Sequence, residues 1–285
     1  MVSRIFFLCL GLVGLGGMAQ AQVGVHVGVT TGFNATFVLD DGLSQAPRYK
    51  SQMTYKWAPI GFNAGVDLSR GFGLSLESIM AKQGQIYDII NIADQVVGQR
   101  NIQYECLQLP LLMRFMSKGN SGVRGNFNLG PQLSILTRAS EIIQYSASTQ
   151  TFPKGATLPA GASGVVTHPD GSMTASVPAQ SPKELASKQA QSFKNADFQI
   201  AAAFGLDIDV ARHFYLTVQA RGNYSITDTR NSDVIEALKQ GKSSDVFGKR
   251  ANLTAGVQMG LHYVFGSTRS FKYKGAKAAG SEAGR

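Results

Sequence analysis

From Phe198 to Val210 the chain reads FQIAAAFGLDIDV, with Phe198, Ile200, Ala202, Phe204, Leu206, Ile208 and Val210 on one parity. Gln199, Ala201, Ala203, Gly205, Asp207 and Asp209 fall on the other. Successive strand side chains point to opposite faces, so this segment has one apolar face and one small or polar face. The alternation recurs along the chain. Val25, Val27, Val29 and Phe33 oppose Gly24, His26, Gly28 and Asn34, while Ile60, Phe62 and Val66 oppose Gly61, Asn63 and Asp67. Leu74, Leu76 and Met80 oppose Ser75, Glu77 and Ala81, and Leu107 to Phe115 alternate with Cys106 to Arg114. Val123, Phe127, Leu129 and Leu133 oppose Arg124, Asn126, Asn128 and Gln132. Leu216, Val218 and Ala220 oppose Thr217, Gln219 and Arg221, and Leu253 to Phe265 alternate with Asn252 to His262. The pattern predicts eight strands, with Leu133, Phe204, Leu216 and Val257 near mid-span on the apolar side.

The connections alternate in length. Those at Ser69, Lys118 and Ala211 are short; those over Asp40–Thr54, Gly84–Asn101, Ser140–Ala196 and Thr227–Arg250 are long. Short turns at one end and long loops at the other are the periplasmic and extracellular asymmetry of a transmembrane β-barrel. The polar face excludes a soluble sandwich, whose dry core could not hold Asn34, Asn63, Asp67, Glu77, Arg114, Arg124, Asp207, Asp209, Arg221 and His262. A soluble ligand-binding barrel would turn its apolar face inward. The fold class is therefore all-β: an eight-stranded antiparallel transmembrane barrel, with short helices in its extracellular loops. Ser146–Pro182, rich in Ser, Thr, Ala, Gly and Pro, is expected to be extended or mobile. Ser181-Pro182-Lys183-Glu184 reads as a capping box that starts a helix running to Asn195. Asp233–Gln240 reads as a second helix, stopped by Gly241. Pro110 and Pro131, inside strands, are expected to mark bulges.

The N-terminus agrees with export. Arg4 precedes the apolar run Ile5–Leu15, and Ala19-Gln20-Ala21 is a small-x-small cleavage site. That run is shorter than the ~20 residues a membrane helix needs. The domain plan is thus a signal peptide at 1–21, a barrel at 22–265 and a basic, disordered periplasmic tail at 266–285. Cleavage would leave Cys106 as the sole cysteine, which excludes an internal disulfide and multi-cysteine metal sites. The net charge of +9 raises a nucleic-acid reading, but export and the lack of any nucleic-acid-binding motif exclude it. Arg269, Lys272, Lys274, Lys277 and Arg285 place much of this charge in the tail.

The four histidines, His26, His168, His213 and His262, do not converge with serine and an acid at the outer rim. His26 and His262 should be neighbours, but two ligands are too few for a metal site. No catalytic group, cofactor or metal is expected. An eight-stranded barrel has room only for its own side chains. Arg114, Arg124 and Arg221 should therefore pair with Asp67, Glu77, Asp207 or Asp209 in an interior polar network that also holds His262.

Several segments resemble one family. Val27-Gly28 through Gly32-Phe33-Asn34 is similar to the first-strand glycine/asparagine pattern of the PorT-like outer-membrane β-barrels common in Bacteroidetes. Cys106-Leu107-Gln108-Leu109-Pro110-Leu111-Leu112 resembles that family's tyrosine-leucine-glutamate-isoleucine-proline-leucine-leucine strand, with Cys106 and Gln108 as departures. Leu129-Gly130-Pro131-Gln132 and Gly222-Asn223-Tyr224-Ser225-Ile226-Thr227-Asp228 match its fifth and seventh strands. The resemblance implies an outer-membrane barrel without implying one activity; some members serve secretion and gliding machinery. The expected role is a non-catalytic barrel in outer-membrane lipid. Its surface loops would bind partners in a secretion or envelope complex. The alternative is a small lipid- or solute-handling barrel, either a lipid-modifying enzyme or a narrow transporter.

Overall fold

The computed structural model describes residues 24–117, 122–242, 246 and 248–265. The export signal, the C-terminal tail and most of the turn at Lys118 lie outside these residues. The strands are β1 (Gly24–Asp40), β2 (Tyr49–Gln52), β3 (Thr54–Asp67), β4 (Phe72–Ile90), β5 (Val96–Met116), β6 (Val123–Tyr145), β7 (Ser148–Phe152), β8 (Ser163–Thr167), β9 (Met173–Val177), β10 (Lys183–Ser187), β11 (Ala196–Ala211), β12 (Phe214–Ser225) and β13 (Arg250–Phe265). Two helices, α1 (Asp41–Gln45) and α2 (Ser232–Lys239), lie in the first and last long connections.

Eight of these strands form a closed antiparallel ring in the order β1-β3-β4-β5-β6-β11-β12-β13. β13 returns to β1 in continuous register from Val25↔Phe265 to Asp40↔Arg250. Closure leaves no strand edge in the wall, the condition for a sheet to cross lipid with its backbone groups satisfied.

The wall turns its apolar parity outward. Phe33, Trp57, Phe62, Phe198 and Phe204 are each more than half exposed, whereas Asn63, Asp67, Asp207 and Arg221 on the opposite parity are buried. In water this would be an inverted protein; in a bilayer the apolar belt meets its solvent. Trp57 donates its indole N–H to Thr31 Oγ1 at 2.9 Å, and Phe33 stacks on Tyr55 at 5.7 Å. The belt ends towards the loops where outward Lys82, Glu105 and Arg138 appear, paired at 3.4 and 3.8 Å.

The bulges lie elsewhere than the prolines suggested. Register runs unshifted past Pro110 and Pro131 in both neighbouring pairings. It shifts instead between Thr30 and Gly32, opposite Pro59-Ile60, and between Glu105 and Cys106, opposite Thr137. At Pro110 and Pro131 the ladder loses a donor while the strands stay close. A Cβ on Gly130 would lie 1.9 Å from the Leu111 carbonyl oxygen, so glycine beside the proline lets the chains approach.

The loop end is more ordered than the composition suggests. Gly84–Asn101 is no loop: β4 and β5 continue past the belt as a hairpin that turns only over residues 91–95. Ser146–Pro182 folds into a three-stranded sheet, β7-β9-β8, instead of an extended coil. Its glycines supply turns, as where Gly171 (φ 83°) follows Asp170, whose carboxylate accepts the Ser172 N–H at 2.9 Å. The helix expected over Ser181–Asn195 is also absent. Lys183–Ser187 instead forms β10. β11 pairs with β6 only as far as Ile135, and above that β10 takes the vacated edge at Ser140–Ile143. β2 does the same on β4, above the part that β3 covers. A free ladder edge outweighs the capping signal because the segment has little apolar surface with which to hold a helix. The other helix forms as α2, one residue early, with Asn231 as cap and Gly241 (φ 65°) as stop.

Candidate functional site

The lumen is built from inward side chains in three tiers. Nearest the short turns, Arg114 on β5 reaches across the barrel. Its Nη2 donates to Asp207 Oδ2 at 3.0 Å and its Nη1 to Tyr215 Oη at 3.3 Å. Nη1 also lies 2.8 Å from His26 Nε2 and 3.5 Å from Asp67 Oδ1. Asp207 accepts further bonds from Asn126 at 2.8 Å and Thr217 at 2.7 Å. Tyr215 stacks on His262 with ring centroids 4.5 Å apart. Arg124 pairs with Asp209 at 2.5 Å nearer the turns.

In the middle tier Arg221 pairs with Glu77 and donates to Gln258 Oε1 at 2.9 Å and Gln132 Oε1 at 3.1 Å. Gln132 continues the chain to Gln199 at 2.6 Å, and Gln199 to Asp197 at 2.7 Å. The structure thus brings the sequence-selected residues together in two groups: Asp67, Arg114, Asp207 and His262 in one, Glu77 and Arg221 in the other, with Arg124–Asp209 a separate pair at the rim.

The third tier was not read from sequence. Glu141 receives Arg250 Nη1 at 2.7 Å and Arg100 Nε at 2.5 Å, while Arg250 Nε donates to Asp40 Oδ2 at 2.7 Å. All four side chains are at most 2 % exposed. Each lies in or at the edge of a segment whose sequence predicts a loop. Gln85, Tyr87 and Ile89 are all buried there, but they alternate with Ile86, Asp88 and Ile90, so polarity gives no sign of which face is inward. Tyr87 donates to the Val38 carbonyl oxygen at 2.5 Å, and burial pushes its hydroxyl up to about 12.

Little space remains inside. Two lumenal cavities of about 20 Å³ each are lined by Thr30, Asn63, Glu77, Arg114 and His262, and by Gln83, Tyr104, Cys106, Lys194 and Asp197. Each has room for roughly one water, since about 10–15 Å³ holds one. The histidines are dispersed. His26 and His262 are 5.9 Å apart at the short-turn end, His213 approaches the Val264 carbonyl at 3.3 Å, and exposed His168 bonds Thr174 at 2.7 Å. Among the described residues no group of three or more His, Cys, Asp or Glu is placed to hold a metal ion.

A closed eight-stranded ring with an apolar exterior and a polar, hydrogen-bonded interior defines a small transmembrane β-barrel of the outer membrane. The family model "Outer membrane protein beta-barrel domain" matches residues 18–231, and the chain belongs to that family. Among solved structures it is similar to the outer membrane protein OprG from Pseudomonas aeruginosa, at 12 % identity over 87 % of this chain and 97 % of that one, with a TM-score of 0.39. It is similar to Neisserial surface protein A at 11 % identity over 86 % and 98 %, with a TM-score of 0.37. Ail of Yersinia pestis, solved with a heparin analogue, is 11 % identical over 85 % and 99 %, with a TM-score of 0.34. No curated protein matches.

Proposed function

We propose that this protein is a non-catalytic outer-membrane anchor whose folded extracellular loops bind a partner, with the barrel holding those loops in place. The observation that carries this reading is the contrast between the two ends of the molecule. The lumen is filled by cross-barrel ion pairs, whereas the loop end holds an independent three-stranded sheet, two helices and two edge strands. Loops of this length are usually either functional or disordered, and this one is folded. The β7-β9-β8 sheet is the favoured contact: β8 is exposed at every residue and presents a free strand edge to which an extended partner segment can add. The PorT-like motif resemblance supports a place in a secretion or envelope complex.

The Gln180 N–H donates to the Tyr145 carbonyl at 3.0 Å, so the excursion between them can be replaced by a short Gly/Ser link. Replacing Ser148–Val177 in this way should leave heat-modifiable gel migration intact and remove the partner from a crosslinked pull-down of the native protein. An unchanged partner set would overturn the assignment to this sheet.

A further inference from the structure

At the loop end, a groove of about 600 Å³ opens beside the start of β11, between the segment after β10 and the N-terminal end of α2, with buried Phe193 at its base. Lys188 and Lys194 line it together with Gln189, Gln191, Asn195 and Asn231, and no carboxylate does. Neither lysine forms an ion pair among the described residues, unlike Lys82 and Lys50, which have acidic partners. Lys188 Nζ is tethered to the Leu136 carbonyl, which holds the ammonium at the rim of the wall. The N-terminal end of α2, capped by the Asn231 side chain and carrying Asp233 in its first turn, closes one side of the groove. The groove lining therefore presents donors and positive charge, and Lys194 also borders the lumenal cavity that Asp197 lines.

Its height on the barrel narrows the ligand. The Leu136 N–H donates to the Asn195 carbonyl at 2.8 Å, and immediately below, Ala196 pairs with Ile135 and Phe198 with Leu133. Phe198 is 57 % exposed and Ile135 37 %, so the lipid-facing belt begins one step beneath the groove. Arg138, two positions beyond Leu136 on β6, is a further outward cation, already facing Glu105 at 3.8 Å. A ligand seated here would have its polar part among lysines and amides and its apolar part against Phe198 and Ile135.

We propose that this groove binds the phosphorylated sugar headgroup of an outer-leaflet glycolipid, with Lys188 and Lys194 on the phosphate and the amide side chains on sugar hydroxyls. A soluble phosphosugar shares the headgroup chemistry but would leave Phe198 and Ile135 without an acyl chain. The inference is independent of the loop-display reading, because it needs neither β7-β9-β8 nor a protein partner.

The test uses the full-length protein in neutral detergent micelles. A bisphosphorylated acylated disaccharide, its dephosphorylated form and the deacylated phosphodisaccharide are titrated separately by calorimetry. The expected result is saturable binding of the phosphorylated lipid, weakened at least tenfold by Lys188→Gln/Lys194→Gln and by added salt. The deacylated and dephosphorylated forms should each bind at least tenfold more weakly. Equal binding of the dephosphorylated lipid would overturn the anion site, and equal binding of the deacylated sugar would overturn the lipid assignment. Unchanged affinity in the double variant would overturn the groove itself. Both lysines are half-buried; unaltered heat-modifiable migration verifies the variant's fold, and Arg138→Gln serves as a milder second variant with a smaller expected loss.

Discussion

At the scale of single residues the lumen is a set of charges that can exist in a membrane only because each has a partner. Taking a charge out of water is costly, and removal of one member of a buried pair typically costs about 3–5 kcal/mol because the other stays behind. Glu77 and Arg221 are both about 95 % buried, so loss of either leaves the other's charge without its counter-ion. Glu77→Ala should lower stability by about that 3–5 kcal/mol, measured by urea unfolding in micelles. Glu77→Met/Arg221→Met should recover most of the loss, since no charge is then stranded. If the double variant is as unstable as the single one, the pair is not what stabilises this tier. Sequence parity showed that these residues face inward, but not which would meet. Arg114 collects Asp67 from β3, Asp207 from β11 and Tyr215 from β12, and those meetings depend on strand register across a closed ring.

At the scale of elements, the eight wall strands were legible because a two-residue period with lipid on one side is hard to imitate. Their upper ends were not. Past Lys82 and Glu105 the outside is water, both faces can be polar, and the alternation that marks a strand fades. Hence sequence parity stops short of the upper ends of β4 and β5, and the capping box at Ser181 reads as a helix where β10 forms. α2 was legible because Asn231 and Gly241 carry its start and stop locally. The connection leading into α2 is fixed by Asp228, whose carboxylate accepts from the Arg230 N–H at 2.9 Å, the Arg230 side chain and the Arg250 N–H at 3.0 Å. Burial acts to raise this carboxyl, but the bonds from Arg230 and Arg250 outweigh it and hold it below the usual range. A depressed folded value means that the stabilisation is present above the unfolded carboxylate value of about 3.9 and is lost as pH falls through the folded one. Pepsin cleavage within residues 228–242 should therefore rise more steeply with acidification in the wild type than in Asp228→Asn, which is already loosened. Parallel pH profiles would show that Asp228 does not secure this loop.

For the whole molecule, the decisive fact is the solvent outside it. Phe204 is 65 % exposed and lies midway along β11, paired with Phe127 on one side and Ala220 on the other. In water, replacing so exposed a side chain with arginine would be nearly neutral or favourable. In a bilayer the same change near the midplane costs about 2–4 kcal/mol, falling to about 0–1 kcal/mol near the interfaces. Phe198, on the same face of the same strand but beside the groove at the outer rim, supplies the shallow control. Phe204→Arg should thus destabilise the barrel by about 2–4 kcal/mol when unfolded from lipid vesicles, and Phe198→Arg by about 1 kcal/mol or less. The gradient is the test, because loss of packing alone would treat two similarly exposed phenylalanines alike. Equal costs at the two positions would mean that the belt does not sit in lipid at this depth. The height assigned to the lysine groove would then be wrong as well.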